Sequence, residues 1–460
     1  MGTTSSLNLS GLGLGNGINV QQFVQSLVQT ADVPLTQMQA EQTTYTSQLS
    51  AISNINTLLG NVQNDIQNLQ DPLGPLGATI ASSSNTSILT ASTGPGATDG
   101  THTITVNSLA TTSSYDTNSL ATGGTTFGTG QFTLQVGSNS PVTITVGSAN
   151  DTLNTLASSI NSGNYGVTAS VVTDANGARL SLVSNTSGAP GNLTVSGNTT
   201  GLTFNQTQAG ANSSYSVDGV PLNSTSNSVT GVIPGVTLSL TGAASGTPVT
   251  LVIGPDTTQA ATAIGQFVTD YNATVQAINA QFTYNANSTT QQPLFSDSSL
   301  QMVQQTLQND ANFVMSGNNG VTGLSSIGVN LQQDGTLQVD SGTMSTALTT
   351  NYAAVQNFFQ QIGSQNGFAV QFNNDLSNLT NPTTGPLYVD AQGINQANTD
   401  LSTQIANFQA NIAQQEQLWI QEYSQVNTTL QTMPLMLQQV DAQMGMAAPS
   451  SSSSSSGTIG

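Results

Sequence analysis

The chain has 460 residues, 36% of them hydrophobic and only 5% charged, against roughly 25% charged in an average soluble protein. Its 18 Asp and 3 Glu face one Arg and one His, for a net charge of −20. One strong cation cannot neutralise nucleic-acid phosphates or hold an anionic leaflet, and the absence of cysteine removes disulfides, thiol catalysis and thiolate metal sites.

Residues 1–33 predict a flexible, Gly- and Ser-rich segment followed by a short helix. The first 20 residues have neither a basic n-region nor an apolar h-region, so a cleaved signal peptide is not expected. Met1-Gly2 and Ser6 fit an acylation pattern, but a single acyl chain without basic residues anchors weakly. Asn19 reads as a helix N-cap with Gln22 three residues on, as in a capping box. Phe23, Val24, Leu27 and Val28 follow at helical spacing. Asp32 as a cap and Pro34 in a first turn restart the helix. Met38, Tyr45, Ile52, Leu59 and Ile66 then recur every seventh residue, with Ile55, Val62 and Leu69 as a second line. Such a stripe needs a partner helix.

From residue 78 to 254 the period changes to short alternating runs rich in Thr, Val, Ser and Gly. Residues 103–106, 132–136, 142–146, 167–173, 179–183, 236–240 and 249–253 read as strands. Asn176-Gly177 and Asp218-Gly219 read as hairpin turns. Asp151 is placed at the start of a short helix carrying Leu153, Leu156 and Ile160. Helices return at Thr257, with Ile264, Phe267, Val268, Tyr271, Val275 and Ile278 on one face. Leu300, Val303 and Leu307 continue them, a small hairpin spans 327–339, and Val355, Phe358, Phe359 and Ile362 mark another helix.

The last helix runs from Ile394 to Met444. Ile405, Ile412, Trp419, Val426, Met433 and Val440 fall seven apart on it. A companion line passes from Leu401 and Phe408 to Tyr423, Leu430, Leu437 and Met444, a drift that suits a straight bundle helix. Pro434 should kink this helix at a cost of about 3 kcal/mol. The serine-rich tail, 449–460, reads as disordered.

The predicted fold is therefore α+β and multidomain: N- and C-terminal helices form a coiled-coil or helix-bundle stem, with strand-rich β domains inserted between them. The expected units are a helical stem (34–77 and 255–393, with a small β hairpin), an inner β domain (78–110 and 212–254) and an outer β domain with a short helix (111–211). A C-terminal helix (394–448) pairs with the N-terminal one. The residues expected to carry helix pairing and assembly are Met38, Tyr45, Ile52, Leu59, Ile66, Ile405, Ile412, Trp419, Val426, Met433 and Val440.

Chemistry finds little purchase. His102 has no second His or Cys to seed a metal site. Gly11, Gly13, Gly15 and Gly17 do not follow a strand, and the third glycine of a dinucleotide loop would fall on Asn16. Many Asp residues sit where turns and caps want them, as at Asp174, Asp218 and Asp334. Tyr45 and Trp419 lie on heptad lines, where packing explains them. Arg179 is expected to pair with a neighbour such as Asp174. No catalytic, cofactor-binding or metal-binding residues are expected, and the chain is read as no enzyme.

Specific residues also resemble a known family. Gly11-Leu12-Gly13 through Asn16-Gly17-Ile18-Asn19-Val20, then Leu27-Val28 and Pro34-Leu35-Thr36, look like the N-terminal signature of the flagellar hook-associated protein 2 family. Val217-Asp218-Gly219 with 227–240 is similar to its "DG…GVTL" segment. Phe267-Val268-Thr269-Asp270-Tyr271-Asn272 resembles its "FV.DYN" helix. Gly323-Leu324, Ile327-Gly328-Val329 and Asp334-Gly335-Thr336-Leu337 with Asp340 resemble its "DGTL" hairpin, and 355–359 the helix after it. The ordered set spans nearly the whole chain, although the family's usual Lys and Arg residues are missing.

The resemblance implies a secreted cap at the distal tip of a bacterial flagellum, exported without a cleaved signal peptide. It implies a closed ring of about four to six copies of the chain that promotes folding and insertion of exported flagellin and prevents its loss. Implied partners are flagellin, hook–filament junction proteins, and the export apparatus with its chaperone; no nucleic acid, membrane insertion or cofactor is implied. Two alternatives are another axial flagellar protein, junction or flagellin-like, and a surface adhesin binding glycans through the β domains.

Overall fold

A computed structural model describes residues 19–284, 291–363 and 365–443. The glycine run at 11–17, Met444 and the serine tail lie outside the described residues. The first helix, α1 (Val20–Ala31), starts where Asn19 Oδ1 accepts the Gln22 N–H at 3.2 Å, the Asn19 half of the expected capping box. It passes almost directly into α2 (Val33–Gln70). Asp32 does not cap α2 with its side chain. Its backbone instead bridges the two helices, donating to Val28 O and accepting from Thr36 N, and Pro34 sits in the first turn, where no N–H is needed.

The chain then enters its strands: β1 (Thr79–Ser83), β2 (Leu89–Thr93), β3 (Gly100–Ser108), β4 (Thr112–Thr117), β5 (Gly130–Val136) and β6 (Val142–Val146). Helix α3 (Leu153–Ser162) follows, then β7 (Val167–Asp174), β8 (Gly177–Ser187), β9 (Leu193–Ser196) and β10 (Phe204–Gln208). The segment closes with β11 (Ser213–Val217), β12 (Val220–Ser224), β13 (Ser228–Thr230), β14 (Val236–Leu240) and β15 (Val249–Pro255).

A five-stranded sheet, β1-β15-β3-β11-β12, faces a three-stranded one, β13-β14-β2, over a core that includes Ile104, Tyr215, Leu238 and Leu251. Within the chain between β3 and β11, the sheets β10-β4-β8-β7 and β6-β5-β9 enclose a second core with α3, around Phe132, Leu156, Leu180 and Leu193. All pairings are antiparallel, and period-2 alternation sets each face: Val249, Leu251 and Ile253 point in while Thr250 and Val252 point out.

Two local expectations are corrected and a third holds. The N-cap of α3 is Thr152, not Asp151: its hydroxyl accepts from Thr155 N, and Thr155 returns a bond to Thr152 N. The β7–β8 turn is centred on Ala175-Asn176, because Asp174 pairs with Gly177 in register and Asp174 Oδ1 accepts from Asn176 N at 2.7 Å. The β11–β12 turn does fall on Asp218-Gly219, with φ of +51° and +81°, the left-handed pair that a type I′ turn requires.

The helical half resumes with α4 (Thr257–Gln281) and α5 (Ser298–Ala311), the hairpin β16 (Val329–Leu331) and β17 (Leu337–Val339), and α6 (Ser341–Thr350) and α7 (Tyr352–Phe359). A short pair, β18 (Gln361–Ile362) and β19 (Gln365–Asn366), precedes α8 (Phe368–Leu379) and α9 (Pro386–Gln443). Asp256, Asp297 and Asp340 cap α4, α5 and α6, each carboxylate accepting backbone N–H groups. Position 362, expected in a helix, belongs instead to β18. Helix α9 begins eight residues before Ile394, and α6 and α8 were not foreseen. Helix α9 continues past Pro434.

A third and largest core joins α2 to α4–α8 and the start of α9. At its centre Phe267, Tyr271, Phe358, Phe359, Phe368 and Phe372 stack edge-to-face or offset at 5.3–6.4 Å between ring centroids. Among the described residues no helix is long and apolar enough to cross a membrane.

Candidate assembly interface

The heptad lines of α2 and α9 meet, as two apolar stripes in water must. Helix α2 packs along α9, and α1 packs against the later part of α9. Phe23 of α1 lies edge-on to Tyr423 of α9 with ring centroids 4.7 Å apart. Gln42 Nε2 of α2 donates to Ser402 Oγ of α9 at 2.8 Å. As the chain advances from 23 to 42 on one side it retreats from 423 to 402 on the other, so the pairing is antiparallel.

Burial along this seam is uneven. Ile52, Leu59 and Ile66, with Ile55, Val62 and Leu69, are almost fully buried, because α4 and α8 as well as α9 cover α2 there. Met38 and Tyr45 are half-buried. On α9, Leu401 and Ile405 are buried, Ile412 and Trp419 are half-buried, Val426 is 40% exposed and Met433 48%. Leu435 and Met436 are more exposed still. The side chain of Val440 lies outside the described residues. The structure thus half-buries Met38 and Tyr45, buries Ile405, places Ile52, Leu59 and Ile66 in the large core, and leaves Val426 and Met433 exposed on α9.

No Lys, Arg or His lies in any of the helices, so no salt bridge joins them, and amide side chains make several of their polar contacts. Gln63 Nε2 donates to Ser377 Oγ, Gln67 Nε2 to Asn373 Oδ1, and Gln48 Nε2 to Pro293 O. Tyr45 sends its hydroxyl to Glu41 Oε1 at 2.8 Å, and that hydrogen bond holds the phenol above its ordinary pKa.

The two ionisable oddities of the β region are structural. His102 Nδ1 meets Asp218 Oδ2 at 2.8 Å, and Asp218 Oδ1 accepts Thr103 N, which ties the β11–β12 turn to β3. The hydrogen bond with His102 is the main reason the Asp218 carboxyl lies below its ordinary value. Arg179 does not pair with Asp174, whose carboxylate serves its own turn. It lies 3.9 Å from Asp116 of β4, on the strand neighbouring β8. Sequence reasoning missed the α8 face made by Phe368, Phe372 and Leu376, although their i, i+4, i+8 spacing was available. Among the described residues no group of three or more His, Cys, Asp or Glu is placed to hold a metal ion.

Comparison with known proteins agrees with this architecture. Residues 16–113 match the model of the flagellar hook-associated protein 2 N-terminus, and 210–434 that of its C-terminus. Residues 131–186, within the second sandwich, match the flagellin hook IN motif. The B-type flagellar hook-associated protein 2 of Pseudomonas aeruginosa is 30% identical over 390 residues, covering 76% of this chain and 79% of the relative. Flagellar hook-associated protein 2 of Escherichia coli K12 is 25% identical over 421 residues, 85% of this chain and 88% of the relative. The solved D1-D2-D3 domains of the E. coli flagellar cap protein superpose with a TM-score of 0.55 at 26% identity, over 75% of this chain and 99% of that one. The chain belongs to the flagellar hook-associated protein 2 family, a structural family of flagellar cap proteins and not one of enzymes.

Proposed function

We propose that this chain assembles through the open end of its stem into a closed ring at the distal tip of the flagellum, beneath which exported flagellin folds and is inserted. The observation that carries this is the fade of burial along one continuous apolar seam. Val426, Met433, Leu435 and Met436 stay exposed on α9, whereas Ile52, Leu59 and Ile66 of the same heptad system are closed. An apolar stripe of this kind marks an interaction surface. In this proposal Ile412, Trp419, Val426 and Met433 face neighbouring copies or the filament end, and the sandwiches around Leu251 and Leu180 project from the stem as separate domains. Many weak apolar contacts suit a cap that must release one site and grip the next.

Replacing both Ile412 and Val426 with Asp should abolish ring formation and motility while both sandwiches stay folded. Electron microscopy of the purified variant and a swimming assay test this; rings and wild-type motility would remove the open seam from the assembly surface. The net charge gives a second test. Copies carrying −20 each repel one another, and salt screens that repulsion over about 10 Å at 0.1 M. Light scattering should show assembly strengthening with added salt, whereas dissociation by salt would contradict an apolar interface.

A further inference from the structure

The stem contains no basic side chain, yet it brings acidic side chains together in pairs across its helices. Asp65 of α2 meets Asp270 of α4. Asp310 of α5 meets Asp375 of α8. Asp390 of α9 meets Asp297 at the N-cap of α5. In each pair the Oδ2 of the first member is buried with no hydrogen-bond donor from the protein in reach, and Asp310 is only 7% exposed. The second member is already supplied with one. Asp270 Oδ2 accepts from Gln266 Nε2 at 3.0 Å, Asp375 Oδ2 from Gln371 Nε2 at 2.8 Å, and Asp297 Oδ1 from Leu300 N at 2.8 Å.

Two carboxylates side by side repel, and neither can donate; here Asp310 is buried and the other five are half-buried. A single proton converts the contact into an O–H···O⁻ hydrogen bond, among the shorter and stronger kinds. We propose that these three carboxyl pairs are proton clamps, each holding two stem helices together by one shared proton, so that the stem is tightest in mild acid and loosens as the pH rises to neutral and above.

The surroundings support that direction. Asp65 faces Asp270. Asp310 faces Asp375 of α8 and Tyr271 of α4. Asp390 faces Asp297, and Tyr45 of α2 lies across an open groove of about 620 Å³. With no cation on any helix, only a proton can neutralise a pair from within the chain. Burial first, then the partner carboxyl, pushes Asp65 up to about 7 and Asp390 to about 7; burial and then the charge of Asp375 push Asp310 to about 8.

In the unfolded chain these groups return to about 3.9. The folded stem therefore binds more protons than the unfolded one between about pH 4 and about pH 7–8, and stability falls with rising pH through that window. The lowered carboxyls Asp218, Asp334 and Asp340 act in the opposite sense, and only as the pH falls below about 4.

The test is a thermal melt of the full chain, followed by helical circular dichroism, from about pH 4.5 to about pH 8, in low and in high salt. The wild-type midpoint should fall by roughly 5–10 °C across this range and should do so in high salt, where net-charge repulsion is screened. The triple variant Asp65→Asn, Asp310→Asn, Asp390→Asn replaces each shared proton with a permanent amide donor. It should give a nearly flat profile and melt above wild type at the alkaline end. A flat or rising wild-type profile, or a variant with the wild-type slope, would overturn the proposal. Infrared spectroscopy of the folded wild type near neutral pH is an independent check that needs no variant. The stretch of a protonated carboxyl should be present and should disappear as the pH rises past 8; its absence would equally overturn the clamps.

Discussion

The two halves of the stem seam share a seven-residue period and the same kinds of residue, yet they end in different states. Around Ile52, Leu59 and Ile66 the helices α4, α8 and α9 all pack on α2, and the side chains are closed off from water. Around Ile412, Trp419 and Val426, among the described residues, α1 and the start of α2 face α9, and exposure rises toward its end. A heptad stripe states that a partner is needed; how many helices supply the cover decides whether the stripe becomes core or interface. The near half is a stability element. The far half leaves apolar surface whose burial must come from outside the described chain.

The sharpest way to break this contrast is to cut the near half. Leu59→Ala removes a fully buried side chain and should cost about 2–5 kcal/mol, read as a lower denaturation midpoint of the helical signal. The equivalent truncation Val426→Ala, at 40% exposure, should change the stability of the isolated chain by less than about 0.5 kcal/mol. Equal losses at the two sites would erase the distinction between core and open seam.

The sandwiches sharpen the contrast from another side, because turn and cap geometry adds to the apolar cores that hold them. Gly177 has a φ of +114°, and a Cβ there would run into the backbone oxygen of Leu120. Gly177→Ala should destabilise the sandwich holding β7 and β8 by about 1–3 kcal/mol, with the helical melt of the stem unmoved. Thr152→Ala removes a reciprocal cap on α3 and should cost about 1 kcal/mol in the same unit. Hydrogen exchange resolved by segment separates these from a global effect.

How much of this was legible in the sequence depends on how local the determinant is. The heptad lines, the change to period 2 at residue 78 and the return at Thr257 each follow from side-chain spacing within a single element. Asp218-Gly219 was legible because a two-residue I′ turn carries its own chemistry. Helix α8 escaped because its apolar residues, Phe368, Phe372 and Leu376, lie in a Gln-, Asn- and Gly-rich stretch after a short strand pair. Its helicity rests on packing against Phe267 and Tyr271, just over a hundred residues away. The Asp pairs were invisible for the same reason. Asp65 and Asp270 belong to separate periodic segments, and only the register of α2 on α4 brings them together. The uneven cover of the α2–α9 seam is likewise a property of the number of neighbours, which no one-dimensional pattern contains.

The smallest expected effect concerns the one strong cation. Arg179 sits 3.9 Å from Asp116, with both side chains at least 30% exposed. Water and salt screen such a pair, and ordering a long side chain offsets what attraction remains, so its contribution is about 0–1 kcal/mol. Arg179→Gln should therefore leave the melting profile of the sandwich nearly unchanged in low salt and indistinguishable in high salt. A loss of many degrees would mean that this fold leans on its single ion pair. In that case the contrast between a stem without cations and a sandwich with one would be energetic and not merely compositional. A null result places both regions under the same rule: apolar burial, amide hydrogen bonds and turn geometry hold the chain, and its charges matter where they are crowded together rather than where they are paired.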